Sequence, residues 1–175
     1  LADLLKNVKI IATDINLIRL DKIKDRAKRN KVEEKINIEL NYHNLNILAD
    51  RVICDVPCSG SGAWRRRPEE KISLTNDKFK ELLKTQRDIL DYGSSLTKIG
   101  GELVYITCSI LNKENKNQIN AFLQDNPNFE IVDLKHSWDS ITNSKQLFGN
   151  EKYCQLLPNI HECDGFFIAR LIKTN

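Results

Sequence analysis

The chain has 175 residues, 41% hydrophobic and 29% charged, with a net charge of +3. That is the composition of one folded domain rather than a disordered segment, and the mild charge permits an RNA partner without demanding one. No apolar run approaches the roughly 18 to 20 residues of a membrane span and no signal peptide is visible, so no membrane association is expected; five cysteines, an odd number without tight spacing, point to a reducing, cytoplasmic compartment.

Taken in order, Leu1 to Lys6 reads as the end of a helix stopping at Asn7. Lys9 to Thr13 reads as a strand ending at Asp14. Leu17, Leu20, Lys24 and Ala27, with Ile23, recur at helical spacing, and Arg19, Lys22, Lys24, Arg26, Lys28 and Arg29 form the solvated outer face of that helix. Ile36 to Leu40 predicts another strand. Arg51 to Val56 predicts a buried strand with Cys54 in the core. Thr75 or Asn76 caps a helix whose packed side is Phe79, Leu82, Leu83, Gln86, Ile89, Leu90 and Gly93, and Gly100-Gly101 is read as its end. Gln86 and Arg87 read as a buried polar contact and a polar side. Glu102 to Thr107 predicts a second buried strand. A helix over 113–125 follows, capped by Asn112 and ended by Asn126-Pro127. Phe129 to Leu134 is a strand, Lys135 to Cys154 a long polar connection, and Gly165 to Lys173 the final strand. This alternation predicts an α/β fold with a mainly parallel sheet and helices on both faces.

The chemistry concentrates in Asp55-Val56-Pro57-Cys58-Ser59-Gly60-Ser61-Gly62-Ala63-Trp64-Arg65-Arg66-Arg67-Pro68. An acid and a thiol stand at the carboxyl end of a strand, where open α/β sheets bind ligands. A guanidinium cluster that suits phosphate follows. Read alone, Cys58 is as well explained as a buried, inert thiol. Thr107-Cys108-Ser109 ends the next buried strand in the same way, and the two cysteines converge only if those strands are near neighbours. Their separation does not fit a C-x-x-C redox motif. Asp14, an acid at a strand end, can accept hydrogen bonds from ribose hydroxyls. Cys154, His161 and Cys163 match no familiar zinc spacing. Their expected places are a loop for His161 and a turn into the last strand for Asp164-Gly165.

DVPCSGSGAWRRRP, YITCSIL and the closing LLPNIHECDGFF segment together resemble the NOL1/NOP2/Sun family of RNA cytosine-C5 methyltransferases, and within it the bacterial enzymes of small-subunit ribosomal RNA. The resemblance runs over nearly the whole chain. It implies a Rossmann-like class I fold dependent on S-adenosylmethionine, with the last strand antiparallel. It assigns attack on cytosine C6 to Cys108 and product release to Cys58; chemistry alone does not tell the two apart. Asp55 would hold the cytosine edge and also line the cofactor site, where Asp14 would bind the ribose. The family's adenine-side acid is replaced here by Leu40-Asn41-Tyr42, leaving Asn41 as the stand-in. Arg65, Arg66 and Arg67 would grip RNA phosphates, ribosomal rather than transfer RNA, and Trp64 would stack or pack. No A-P-G-G-K-like segment occurs, so the fold is expected to lack its first strand and glycine-rich loop. Residues 1–175 are therefore read as the C-terminal part of a methyltransferase domain, with a missing N-terminal half as a further partner. The competing reading is a non-catalytic remnant with at most weak RNA binding; a thiol-redox protein fits less well.

Overall fold

The structure is a computed structural model that describes residues 2–40, 45–135 and 152–175. These fall into two compact units, Leu1–Asn46 and Ile47–Asn175.

In the first unit β1 (Ile10–Ala12) pairs in parallel with β2 (Ile36–Ile38). A parallel pair needs a crossover, and α1 (Leu17–Arg29) supplies it. The Asn16 side chain accepts from the backbone N–H groups of Ile18 and Arg19 and so caps α1. Arg26, Lys28 and Arg29 occupy its last turn, where positive charge opposes the helix dipole. Leu20 and Ala27 are the buried residues of this helix, and Ala27 clusters with Ala2, Val32, Ile10 and Ile36. The basic outer face is exposed, as its spacing predicts. Residues 2–4 form a turn and not the end of a helix. The carbonyls of Ala2 and Leu5 accept from Lys35 Nζ, at 2.9 Å each, which ties this segment down without helical pairing.

The second unit contains β3 (Ala49–Asp55), α2 (Pro68–Ser73), α3 (Asn76–Leu96), β4 (Thr97–Thr107), α4 (Lys116–Asp125), β5 (Phe129–Val132), β6 (Cys154–Leu156) and β7 (Phe166–Lys173). Its sheet order is β3-β4-β7-β5, with β6 also paired to β7. β3 and β4 are parallel, while β7 is antiparallel to β4, β5 and β6. All strands but the last therefore run one way, and β7 is inserted in reverse. That is the mainly parallel sheet with an antiparallel last strand.

Several boundaries differ from the sequence reading. The helix α3 ends at Leu96, not at the glycine pair. Thr97 Oγ1 donates to Gly93 O at 2.9 Å and closes the last turn. Thr97 already pairs with Ala49, and the next register pair is Arg51 with Glu102. Residues 98–101 are thus an excursion within the strand, with Gly100 at φ 75°. The strand β3 alternates rather than being buried throughout: Cys54 is in the core while Ile53 is 43% exposed. The helix α4 starts at Lys116, since Asn112 O instead holds a turn by accepting from Asn115 and Asn117. Asn41 and most of the predicted polar connection lie outside the described residues.

Within this unit α3 and α4 share one core with one sheet face, rather than covering both. Gln86, Leu90 and Gly93 of α3 and Ile119 and Phe122 of α4 are buried with Cys54, Leu103, Tyr105, Phe167, Ala169 and Leu171. Each fully buried Leu or Ile contributes roughly 1.5 to 3 kcal/mol. Tyr105 meets Phe167 edge-on at 6.3 Å, and Phe122 meets Phe129 at 5.3 Å. Arg87 joins α3 to α4, with 2.8 Å contacts to Asp91 and Asp125. The core fixes the parallel register of β3 and β4, and their carboxyl ends carry the two cysteine loops.

Candidate active site

The parallel register sets Asp55 opposite Ile106, so both strands finish side by side. Cys58 and Cys108 leave these ends and their sulfurs lie 3.2 Å apart. Both thiols are half-buried. The hydrogen bond from Cys58 holds the Cys108 thiol down to about 7, against the opposing effects of burial and of Asp55 and Glu114. The same bond, followed by burial, pushes the Cys58 thiol up. The two thiols share one hydrogen bond, and Cys108 is the one held lower. The two buried cysteines differ from this pair: burial pushes Cys54 up to about 12 and Cys154 up to about 11.

The loops themselves are braced by a buried carboxylate. Glu114 is fully buried. It accepts from Ser59 N at 2.8 Å and Ser59 Oγ at 2.5 Å. It also accepts from Gln86 Nε2 at 3.0 Å and Ser109 Oγ at 2.5 Å. Gln86 reaches Pro57 O as well, at 2.9 Å, which makes it the buried polar contact expected of it. Ser61 and Ser109 share a 2.8 Å hydroxyl contact, and Ile110 N donates to Ser61 Oγ at 2.9 Å. Asn115, also buried, donates to Ser109 O at 2.8 Å and accepts from Thr107 Oγ1 at 2.6 Å.

The closing segment docks on the same loops. Gly62 N donates to Cys108 O, and Gly165 N donates to Gly62 O, both at 3.0 Å. A Cβ on Gly62 would stand 2.2 Å from Gly165 O. Only a glycine permits this approach, because the obstacle is backbone and cannot rotate away. Gly62→Ala is therefore expected to cost about 3 kcal/mol, the upper end of overpacking penalties, read by urea unfolding. Arg66 forms a two-point ion pair with Asp164, with Nε to Oδ1 at 3.1 Å, and holds that carboxyl below its usual range. His161 Nδ1 accepts from Leu157 N at 2.8 Å in the single helical turn Pro158–His161.

The predicted site residues are placed as follows. Asp55, Cys58 and Cys108 are brought together in the second unit. Asp14 lies in the first unit, past the end of β1, where it accepts from Asn16 N at 2.8 Å and faces Arg19 at 3.6 Å. Its two oxygens keep lone pairs for further donors, so it fits a ribose diol. Trp64 is half-buried; its Nε1 donates to Ser59 O at 3.1 Å, so the ring braces the Cys58 loop. Arg66 and Arg67 are engaged with Asp164 and Glu70 in exposed, solvent-screened pairs. Arg65 is exposed beside them. An open cleft of about 470 Å³ on the α2–α3 side reaches Pro57, Cys58 and Ser59. Glu114, Ser59, Ser61, Ser109 and Asn115 were missed by sequence reasoning. Glu114 and Asn115 sit in a polar run, Asn112 to Gln118, that has the look of solvent-facing turn. The repeated Cys-Ser pair was the one available signal that both loops present a hydroxyl to a shared acceptor.

The strand order and the reversed last strand are those of a Rossmann-like α/β fold, here with two cysteine loops at the carboxyl ends of its strands. A family model for the 16S rRNA methyltransferase RsmB/F matches residues 1–172, and the chain belongs to that family. It is 33% identical over 99% of its length to ribosomal RNA small subunit methyltransferase B of Shewanella oneidensis, covering 39% of that protein. Among solved structures, PH0851 superposes with a TM-score of 0.80 at 31% identity, over 94% of this chain and 37% of that one. NSun6 from Pyrococcus horikoshii, solved with SFG, gives 0.76 at 25% identity, over 95% and 42%. The chain thus spans less than half the length of each of these three proteins. Among the described residues, no helix is long and apolar enough to cross a membrane.

Proposed function

We propose that this chain carries the cysteine machinery of an S-adenosylmethionine-dependent ribosomal RNA cytosine-C5 methyltransferase. The observation that carries the reading is the pair of sulfurs 3.2 Å apart, one held near neutrality and the other pushed up. Cytosine C5 is a weak nucleophile. The Cys108 thiolate adds to C6, forming a carbon–sulfur bond and making C5 enamine-like. S-adenosylmethionine supplies the electrophilic methyl group. The C5 proton then leaves to a base, the C6–sulfur bond breaks, and Cys108 recovers its thiolate. Cys58 assists this release. Asp55, at the end of β3, holds the cytosine edge through N3, and Asp14 serves the cofactor ribose. Arg65, Arg66 and Arg67 contribute phosphate contacts, the latter two by exchanging their present carboxylates. The target base is unstacked to reach both sulfurs.

The test is methyl transfer by the protein to deproteinised 16S rRNA with labelled S-adenosylmethionine, followed by nucleoside analysis. 5-Methylcytosine as the product supports the reading. RNA binding without methylation, or methylation of another atom, overturns it in favour of a non-catalytic RNA binder or a different transferase.

A further inference from the structure

Cys58 and Cys108 are each followed by serine, and both serine hydroxyls donate to one carboxylate. Ser59 Oγ and Ser109 Oγ each lie 2.5 Å from Glu114 Oε2. Ser59 N and Gln86 Nε2 take Glu114 Oε1, at 2.8 and 3.0 Å. Four donors converge on a side chain that has no exposure at all. A carboxylate offers about four lone-pair positions and no donor, so its capacity is filled. Among the described residues, no lysine or arginine pairs with it. Its partners are neutral donors alone, and a buried carboxyl is costly unless every bond to it is made. The geometry is anchored from behind as well: Tyr105 Oη donates to Glu114 O at 2.7 Å, from the core strand β4.

We infer that Glu114 is the positioning residue that sets the distance between the two sulfurs, by clamping the Cys58-Ser59 and Cys108-Ser109 loops to a single carboxylate. Its backbone is fixed to β4 and its side chain grips the residue after each cysteine. Neither loop can move without breaking a bond to a buried charge. The consequence for methyl transfer rests on the proposed function; the effect on the thiols does not.

Charge and position act on Cys108 with opposite signs, which separates the clamp from a simple field effect. The groups that act on Cys108 are Cys58 from the loop after β3, Asp55 at the end of β3, and Glu114 from the turn before α4. Both carboxylates oppose its thiolate; the Cys58 hydrogen bond favours it. If Glu114 mattered only through its charge, removing that charge would lower the Cys108 midpoint. If Glu114 holds the sulfurs together, the same change lets the Cys58 bond lapse and the midpoint rises.

The experiment is the pH dependence of Cys108 alkylation by iodoacetamide, read by mass spectrometry of the peptide containing it. It is run on the wild-type protein, Glu114→Gln and Ser109→Ala, with near-ultraviolet circular dichroism as the check on folding. The amide of Glu114→Gln turns a donor toward hydroxyls that now donate. Ser109→Ala keeps the carboxylate and three of its donors. It also removes the Ser109 contacts with Ser61 Oγ and Leu111 N, so Ser61→Ala, which leaves Glu114 and its four donors in place, is run beside it and is expected to keep the wild-type midpoint. The expected result is an alkylation midpoint near 7 in the wild type and a rise of about one pH unit in Glu114→Gln and Ser109→Ala, toward an ordinary thiol. That is about tenfold slower labelling at pH 6. A midpoint that stays or falls in either of these two variants, when folded, overturns the inference. If Glu114→Gln does not fold, Ser109→Ala decides alone. Failure of the proposed function would look different: normal thiol titrations with no 5-methylcytosine.

Discussion

Cys108→Ser is expected to lose methyl transfer by about a millionfold, the scale on which removal of a covalent nucleophile acts. Serine keeps the size of the side chain but not its acidity. A thiol held down to about 7 is about half thiolate at neutral pH, whereas a hydroxyl there has no comparable anion. The neighbouring Cys58 cannot substitute, because its hydrogen bond to Cys108 and its burial push it up. The sign of the pH dependence follows. Activity limited by the Cys108 thiolate rises with pH through about 7 and then levels off, as long as Cys58 remains protonated. The measurement is single-turnover methyl transfer against pH for the wild type and the variant. Substantial activity in Cys108→Ser would move the nucleophile to another residue.

Cys58→Ala is expected to show the complementary defect. Attack still occurs but release fails, so turnover falls by about a hundredfold to ten-thousandfold, the range for loss of a proton-transfer group. A protein–RNA adduct then accumulates and survives denaturing electrophoresis. Alanine also removes the Sγ–H donor that holds Cys108 down, so the Cys108 midpoint moves up and adduct formation slows below pH 7. The adduct should disappear when Cys108→Ser is added to Cys58→Ala. An adduct that persists in Cys108→Ser and vanishes in Cys58→Ala would exchange the two roles. That exchange is the reading a chemist meets first, since chemistry alone does not rank a cysteine after proline below one after threonine.

Much of the architecture could be read along the chain because short-range rules governed it. The helix α1 follows from its apolar spacing, and the structure adds Asn16 as its cap. The helix α3 starts where Thr75 accepts from Lys78 N. The order of strands and helices follows from alternation, and Cys54 goes to the core by its place in β3. Local rules failed where a residue's partner is distant in sequence. Gly100-Gly101 looks like a helix stop, yet Thr97 is drawn into the sheet by Ala49 and the glycines serve an excursion instead. Residues 2–5 look helical, but Lys35 takes their carbonyls.

For the site, the sequence by itself determined which residue types stand at the strand ends: Asp14, Asp55, Cys58 and Cys108. It also determined the family through three separated motifs. Only the tertiary structure decided that the two sulfurs meet, because that depends on β3 and β4 being adjacent and in parallel register. Only the fold divides the thiols into a low and a high one, because the division comes from one hydrogen bond across 50 residues of sequence. Arg66 turns to Asp164 and Trp64 to Ser59 for the same reason: each partner is supplied by packing. Glu114 is the clearest case. A glutamate among asparagines and lysines is solvated by every local rule, and its burial is decided by Ser59, Gln86 and Ser109, which reach it from three other segments.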